Sequence, residues 1–336
     1  MKKFDTLLTF ASWAYAAATI LALALMSLTG DRWWPGTLFL FGPRWMLVLP
    51  LVPLLPLALW RSPRLLIPLL LAGTIVFGSF MGLQWSFSKL KGTNGQMLRV
   101  LTCNIQTGSF DAKALSQLIL EKNIDLVALQ ECPPSIQLDL PPEWLKIQAG
   151  IIAILSRHPI QAHEPVMAPH PPHVWQRHSL LPCTVTTPKG KIFFSSVYLP
   201  SPRYGLQHIL DRKTGLNPKK AELLFSETDN RQNVSELVRN SLNIQEFPLI
   251  IAGDFNMPIE SHIYQTYWSK LNNAFTQTGR GYGWTYRDAA YGIPIDIRID
   301  HILTGNGAHP IQCYVGPDIG SDHRPVIADI YISDRK

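Results

Sequence analysis

Pro248–Asn256 reads PLIIAGDFN. An unbroken apolar stretch runs into Gly253, Asp254, Phe255 and Asn256. A short apolar run stopped by glycine is the pattern of a strand covered on both faces. Ending such a strand in a carboxylate wastes burial unless the acid acts at the sheet edge. The pattern recurs to either side. Leu98–Ile105 (LRVLTCNI) carries Asn104 at its end, and Ile124–Leu129 leads into Gln130 and Glu131. Ile192–Leu199 ends in Tyr198, Leu199 and Pro200. Ile299–Leu303 opens on Asp300 and His301, and Gly320, Ser321, Asp322 and His323 precede Val326–Ile332. Ile151–Leu155 and Leu180–Thr186 are further strand candidates.

Helical periodicity separates these runs. Asp111 is placed to cap a helix with Leu115, Leu118 and Ile119 on one face. Asn233–Asn243 sets Val234, Leu237, Val238 and Leu242 on one face, as a core-packing helix would. Residues 201–232 read as a long polar connection with a short helix around Ala221–Phe225, and a connection of that length is usually functional. Strands alternating with helices predict an α/β domain. Several strand ends rich in Asp, Glu and Asn, gathered at one edge, would repel one another unless a cation sat among them. Hard oxygen donors without thiolates suit Mg²⁺ or Mn²⁺ far better than zinc.

Composition divides the chain. It has 336 residues, a formal charge of +6, 46% hydrophobic and 16% charged residues, which excludes a disordered polar chain. Residues 1–87 hold only Lys2, Lys3, Arg32, Arg44, Arg61 and Arg64 against Asp5 and Asp31, and no His. The rest is close to neutral and is not a strongly basic nucleic-acid-binding body. Cys103, Cys132, Cys183 and Cys313 lack zinc-site spacing and are too few for a disulfide scaffold.

Leu7–Leu28 carries no charge and is long enough to span a bilayer. A cleaved signal peptide would need a small-residue cleavage motif, which Leu28–Arg32 lacks. Leu65–Trp85 is a second span. Trp45–Trp60, with Pro50, Pro53 and Pro56, is a kinked third or a re-entrant segment. Trp33, Trp34, Trp45, Trp60 and Trp85 fall at span ends, as an interfacial belt would place them. The expected organisation is a multi-pass membrane region over 1–87 (spans about 7–28, 45–60 and 65–85), a linker over 88–96 and a catalytic domain over 97–332. Three spans put that domain opposite the N-terminus. Charge asymmetry is nearly balanced, with a preference for the extracytoplasmic face of the cell (inner) membrane, against which the unpaired cysteines argue slightly.

The segments CNIQ, LQE, YLP, GDFN, RIDHIL and GSDHRP, in this order, resemble the signature of the endonuclease/exonuclease/phosphatase superfamily, the DNase-I-like fold, over residues 97–332. The resemblance implies a four-layer sandwich of two packed β-sheets flanked by helices, with a divalent metal in a cleft at one sheet edge. Carried over to this sequence, Glu131 and Asn104 resemble the metal-ligating Glu and Asn, and Asp322 a further metal or metal-water contact. His323 resembles the active-site His at the scissile phosphate, and Asp300 its carboxylate partner. Asp254 resembles the acid that orients or deprotonates the attacking water, and Asn256 a phosphate-contacting amide. Tyr198 resembles the phosphate-side Tyr of apurinic endonucleases. The N-x-H-x segment of many sphingomyelinase-like and deadenylase-like members is missing there.

The remaining polar residues read more plainly. His158 and His301 are expected to be structural, Trp284 a packing residue, and Cys103 and Cys132 buried small hydrophobes. Arg177 and Arg203 are phosphate-contact or solvated positions. The expected activity is Mg²⁺-dependent phosphoester hydrolysis beside a lipid bilayer, on a phospholipid or small phosphorylated headgroup. The alternatives are a membrane-tethered nuclease acting on DNA or RNA and a non-catalytic membrane adaptor. Only Lys213, Lys219 and Lys220 approach a basic stretch.

Overall fold

A computed structural model describes residues 2–86, 95–168, 178–211, 221–242 and 246–333. Apolar runs buried on both faces form the centres of two sheets. The first has the strand order Ala308–Val315, Val326–Ser333, Gly95–Asn104, Leu126–Gln130, Ile152–Ser156, Leu145–Ala149. The second has the order Asn272–Asn273, Asp300–Gly305, Leu249–Asp254, Gly190–Tyr198, His178–Thr187, Ile160–Ala162. Each sheet holds one parallel pair at its middle, Gly95–Asn104 with Leu126–Gln130 and Gly190–Tyr198 with Leu249–Asp254. Register sets Asn104 opposite Gln130, and Asp254 opposite both Tyr198 and Asp300. The polar residues that ended each apolar run therefore come out together.

The sheets pack face to face through Val100, Ala128, Ile154, Phe194, Ile250 and Ala328. Helix Ala112–Glu121, capped by Asp111 through the Ala114 N–H, covers the first sheet with Leu115 and Ile119. Helices Ala221–Ser241 and His262–Tyr267 cover the second with Val234, Val238 and Ile263. These are the four layers expected of the DNase-I-like sandwich. At Gly253 the neighbouring strand approaches so closely that any Cβ would collide with the Val197 carbonyl.

Four expectations change. The connection 201–232 is largely helical: Arg203–Leu210, then Ala221–Ser241. Its polar residues misled because the buried face itself carries Glu227, Thr228 and Arg231. Leu237, expected inward, is exposed. The third apolar stretch stops at Phe80, and Gln84–Trp85 pairs as a strand with Arg280–Gly281 of the sandwich. Of the linker 88–96, residues 88–94 lie outside the described residues, and Gly95 and Gln96 already belong to a strand.

Three N-terminal helical stretches are long and apolar enough to cross a membrane: Lys2–Arg32, Arg44–Arg61 and Pro63–Phe80. The second is broken at Leu49–Pro50 and carries Pro56 inside its helix. Helix Trp34–Phe41 joins the first two stretches. It packs Trp34 beside Ile209 and Leu224, so Trp34 is a packing residue here. The joint with the sandwich is polar. Asp31 is buried against Arg231 at 3.4 Å and accepts from the Ser261 hydroxyl and the Ile263 N–H. Arg44 pairs with Glu260 at 3.3 Å, and the Trp45 indole donates to the Pro294 carbonyl at 2.9 Å.

Candidate active site

Seven of the eight residues singled out from sequence line one cavity: Asn104, Glu131, Tyr198, Asp254, Asn256, Asp322 and His323. The eighth, Asp300, sits behind His323. Its Oδ2 lies 2.8 Å from His323 Nδ1, which fixes the ring and leaves Nε2 for the cavity, 3.9 Å from Asp254 Oδ2. Asp254, Asp300 and His323 bring their polar atoms within 4.8 Å of one another.

Glu131 follows its strand with a φ of 50°, a left-handed conformation that non-glycine residues rarely adopt. Such strain persists where surrounding contacts over-determine it. Here they do. Glu131 Oε1 accepts from Tyr198 Oη at 2.7 Å and from Asn104 Nδ2 at 3.2 Å, and Oε2 accepts from Thr107 Oγ1 at 3.0 Å.

Asn104 behaves as a clamp. Its amide nitrogen donates to both Glu131 and Asp254 (3.0 Å), and its Oδ1 accepts the Gln106 N–H at 3.0 Å. Asn256 also faces Asp254. Its backbone N–H donates to Asp254 Oδ1 at 2.8 Å, and its side-chain amide donates to Asp254 Oδ2 (3.0 Å) and to the Leu199 carbonyl (2.8 Å). Both amide hydrogens are thus engaged within the protein.

Electrostatics follow from this crowding. Burial, then the neighbouring Asp300 carboxylate, push Asp254 up to about 7, against the opposing pull of His323 and two hydrogen bonds. Burial disfavours charge on His323, but Asp300 and Asp254 outweigh it and hold the imidazole up to about 10. These two carboxylates favour the charged form of His323. Burial also raises Asp322, with His323 and Arg203 opposing.

Glu131 and Asp322 present carboxylates to the same cavity, and among the described residues no thiol lines it. This hard-oxygen donor set fits Mg²⁺ or Mn²⁺. Glu131 and Asp322 are the residues that would hold the ion, with Asn104 bracing Glu131 through its N–H.

The other sequence expectations resolve simply. His301 is a core residue, bonded to the Met257 carbonyl at 2.9 Å and pushed down to about 4 by burial and Arg298. Trp284 stacks on Tyr282 away from the cavity. Cys103 and Cys132 are buried, and burial raises both thiols. Arg203 lines the cavity, held by Tyr286 Oη at 2.8 Å and Asp288 at 3.4 Å. Arg177, Lys213, Lys219 and Lys220 lie outside the described residues. Sequence reasoning placed the Trp284–Tyr286 segment near the site, and of it Tyr286 lines the cavity; it missed Thr107 and the brace behind Asn256. There Arg231 Nη2 donates to the Asn256 carbonyl at 3.2 Å. Only the LQE and GDFN segments hinted that their surroundings mattered.

The profile of the Endonuclease/Exonuclease/phosphatase family matches residues 101–323, and the chain belongs to that family. Members of this family are phosphoester hydrolases or nucleases and are generally divalent-metal dependent, which makes this chain a member of a family of ester-bond hydrolases. Similar solved structures include D. rerio TDP2 humanized by 14 mutations, with 17% identity, 70% of this chain and 98% of that chain covered, and a TM-score of 0.51. D. rerio TDP2 complexed with single strand DNA product gives 15% identity, 70% and 99% coverage, and 0.50. An endonuclease/exonuclease/phosphatase family protein from Bacteroides thetaiotaomicron gives 18%, 72% and 97%, and 0.50. At these identities the likeness is one of fold. No curated protein matches the chain in sequence.

Proposed function

We propose that the protein is a membrane-anchored, Mg²⁺-dependent phosphoester hydrolase acting on a lipid or a small phosphorylated headgroup. The observation that carries the reading is the meeting of Glu131, Asp254 and Asp322 with His323, held by Asp300, in one cavity. The bound ion would neutralise charge on the non-bridging phosphoryl oxygens. Asp254 orients the attacking water and takes its proton. A carboxyl lifted toward neutrality suits that work, and Asn104 and Asn256 fix its two oxygens. His323, steadied by Asp300, stabilises the developing charge from Nε2. Glu131 is kept in place by Tyr198, Thr107 and Asn104.

Membrane anchoring rests on side chains that an aqueous surface would not expose. Leu7, Phe10, Ile67 and Leu70 are each more than 60% exposed on the N-terminal helices. Three crossings place the sandwich opposite the N-terminus, and we take that face as extracytoplasmic. A C-terminal alkaline phosphatase fusion, active outside the cell and silent inside, tests it. Among the described residues lining the cavity, Arg203 is the one arginine or lysine, and two side chains already hold it. A backbone-tracking nuclease groove would carry more free positive charge.

The test is a substrate screen of the purified full chain with Mg²⁺. Phospholipid vesicles and plasmid DNA are offered at physiological salt, with EDTA and Glu131→Ala as controls. Metal-dependent release from lipid supports the reading. Rapid DNA nicking overturns it in favour of a tethered nuclease, and no turnover of any phosphoester leaves an adaptor.

A further inference from the structure

The cavity that gathers these carboxylates is far larger than a phosphate. It measures about 900 Å³, toward the upper end of the roughly 300–1,000 Å³ that holds drug-sized ligands. Much of its wall is apolar, and that wall comes from three distant parts of the chain. Leu38 and Phe41 come from the segment between the first two apolar stretches, Leu206 and Leu210 from helix Arg203–Leu210, and Ile295 from the hairpin Tyr286–Ile297.

These parts are fastened to one another. Tyr291 Oη donates to the Leu210 carbonyl at 2.7 Å, and the Trp45 indole donates to Pro294. The Arg231 guanidinium lies 5.3 Å from the Phe41 ring centroid while bonding the Asn256 carbonyl, so the apolar wall and the catalytic loop share a support. The same helix and hairpin leave Tyr204, Leu210, Tyr291 and Ile293 exposed, the first three of them at the cavity. If the apolar stretches cross a bilayer, residues 33–43 emerge on the side where Phe80 leads into the sandwich. The apolar wall then begins at the membrane surface and ends at Glu131.

Resting on the hydrolase reading above, we propose that this cavity receives a phospholipid directly from the bilayer. Its phosphate lies between Glu131 and His323, and one hydrocarbon chain lies along Leu38, Phe41, Leu206 and Leu210. Water adds to phosphorus, the P–O bond to the departing alcohol breaks, and that alkoxide takes a proton. The products are a free alcohol and the remaining phosphate ester, with no co-reactant beyond water. The stretch formed by Leu38, Phe41, Leu206 and Leu210 carries no charge, so it reads hydrocarbon length.

The test measures binding of alkyl phosphonates, methyl through dodecyl, to the full chain in amphipol with Mg²⁺, below the concentrations at which they form micelles. Each methylene that enters the wall tightens binding by up to about fourfold. Dodecyl over methyl preference is expected to exceed about a hundredfold, and to fall at least tenfold in Leu38→Trp and in Leu206→Asp. A flat chain-length series, or an undiminished preference in both variants, overturns the inference. A preference that behaves as expected, in a protein whose hydrolysis of phospholipid is absent or indifferent to Glu131→Ala, upholds the cavity assignment and overturns the hydrolase reading instead.

Discussion

Leu70 and Leu120 are both leucines standing well out of the folded chain, 62% and 44% exposed. The first lies in the apolar stretch Pro63–Phe80, the second on the capped helix outside the first sheet. Around Leu70 nearly every neighbour in sequence is apolar, and the helices bury a seam that includes Leu8, Leu51, Ala58, Leu69 and Ala72. Around Leu120 the exposed face is polar and the apolar face is packed. Burial alone does not tell a membrane helix from a soluble one. What separates them is the composition of the face left outside, apolar around Leu70 and polar around Leu120, as the proposed membrane anchoring requires.

The joint between the two regions gives the largest expected effect. Asp31 and Arg231 are both essentially without exposure, and neither charge has water to fall back on. Asp31→Ala should cost about 3–5 kcal/mol of stability, because it leaves a buried guanidinium uncompensated. Urea unfolding of the full chain in detergent reads this. The double variant with Arg231→Met should recover part of the loss, and simple additivity of the two would show that the pair is not coupled. Activity should fall as well, since Arg231 supports the Asn256 turn beside Asp254.

The leucine pair comes next. Leu70→Arg should disfavour membrane integration by about 3 kcal/mol, read as a drop in the membrane-extracted fraction. Leu120→Arg should leave stability within about 0.5 kcal/mol. Equal behaviour of the two would remove the distinction between the regions. Between these in size lies Tyr198→Phe. It removes the 2.7 Å hydrogen bond to Glu131 and should weaken Mg²⁺ activation by about tenfold with the fold intact. An unchanged activation constant would make Tyr198 a packing residue only.

Much of the site was legible because its residues lie at the ends of apolar runs, where local sequence and register coincide. PLIIAGDFN carries both the strand and the polar ending that lines the cavity. The helix Ala221–Ser241 was not legible, because its inward face is polar. Glu227 there accepts the Gly205 N–H at 2.8 Å and Arg231 reaches Asp31, both contacts across long sequence separations. Edge strands such as Leu145–Ala149, whose residues are mostly half-buried or exposed, carried no apolar run to find. Asn104 and Asn256 were found, but sequence could not show which end of each amide faces the carboxylates. The contribution of Leu38 and Phe41 to the cavity has no local pattern at all, since it depends on where the helices dock.

The most direct measurement is Mn²⁺ binding followed by electron paramagnetic resonance on the full chain, wild type against Glu131→Ala and Asp322→Ala. A saturable site in the wild type, weakened at least tenfold in each variant, is the predicted result. Wild-type affinity retained in both variants would contradict the claim that these strand ends share one divalent ion.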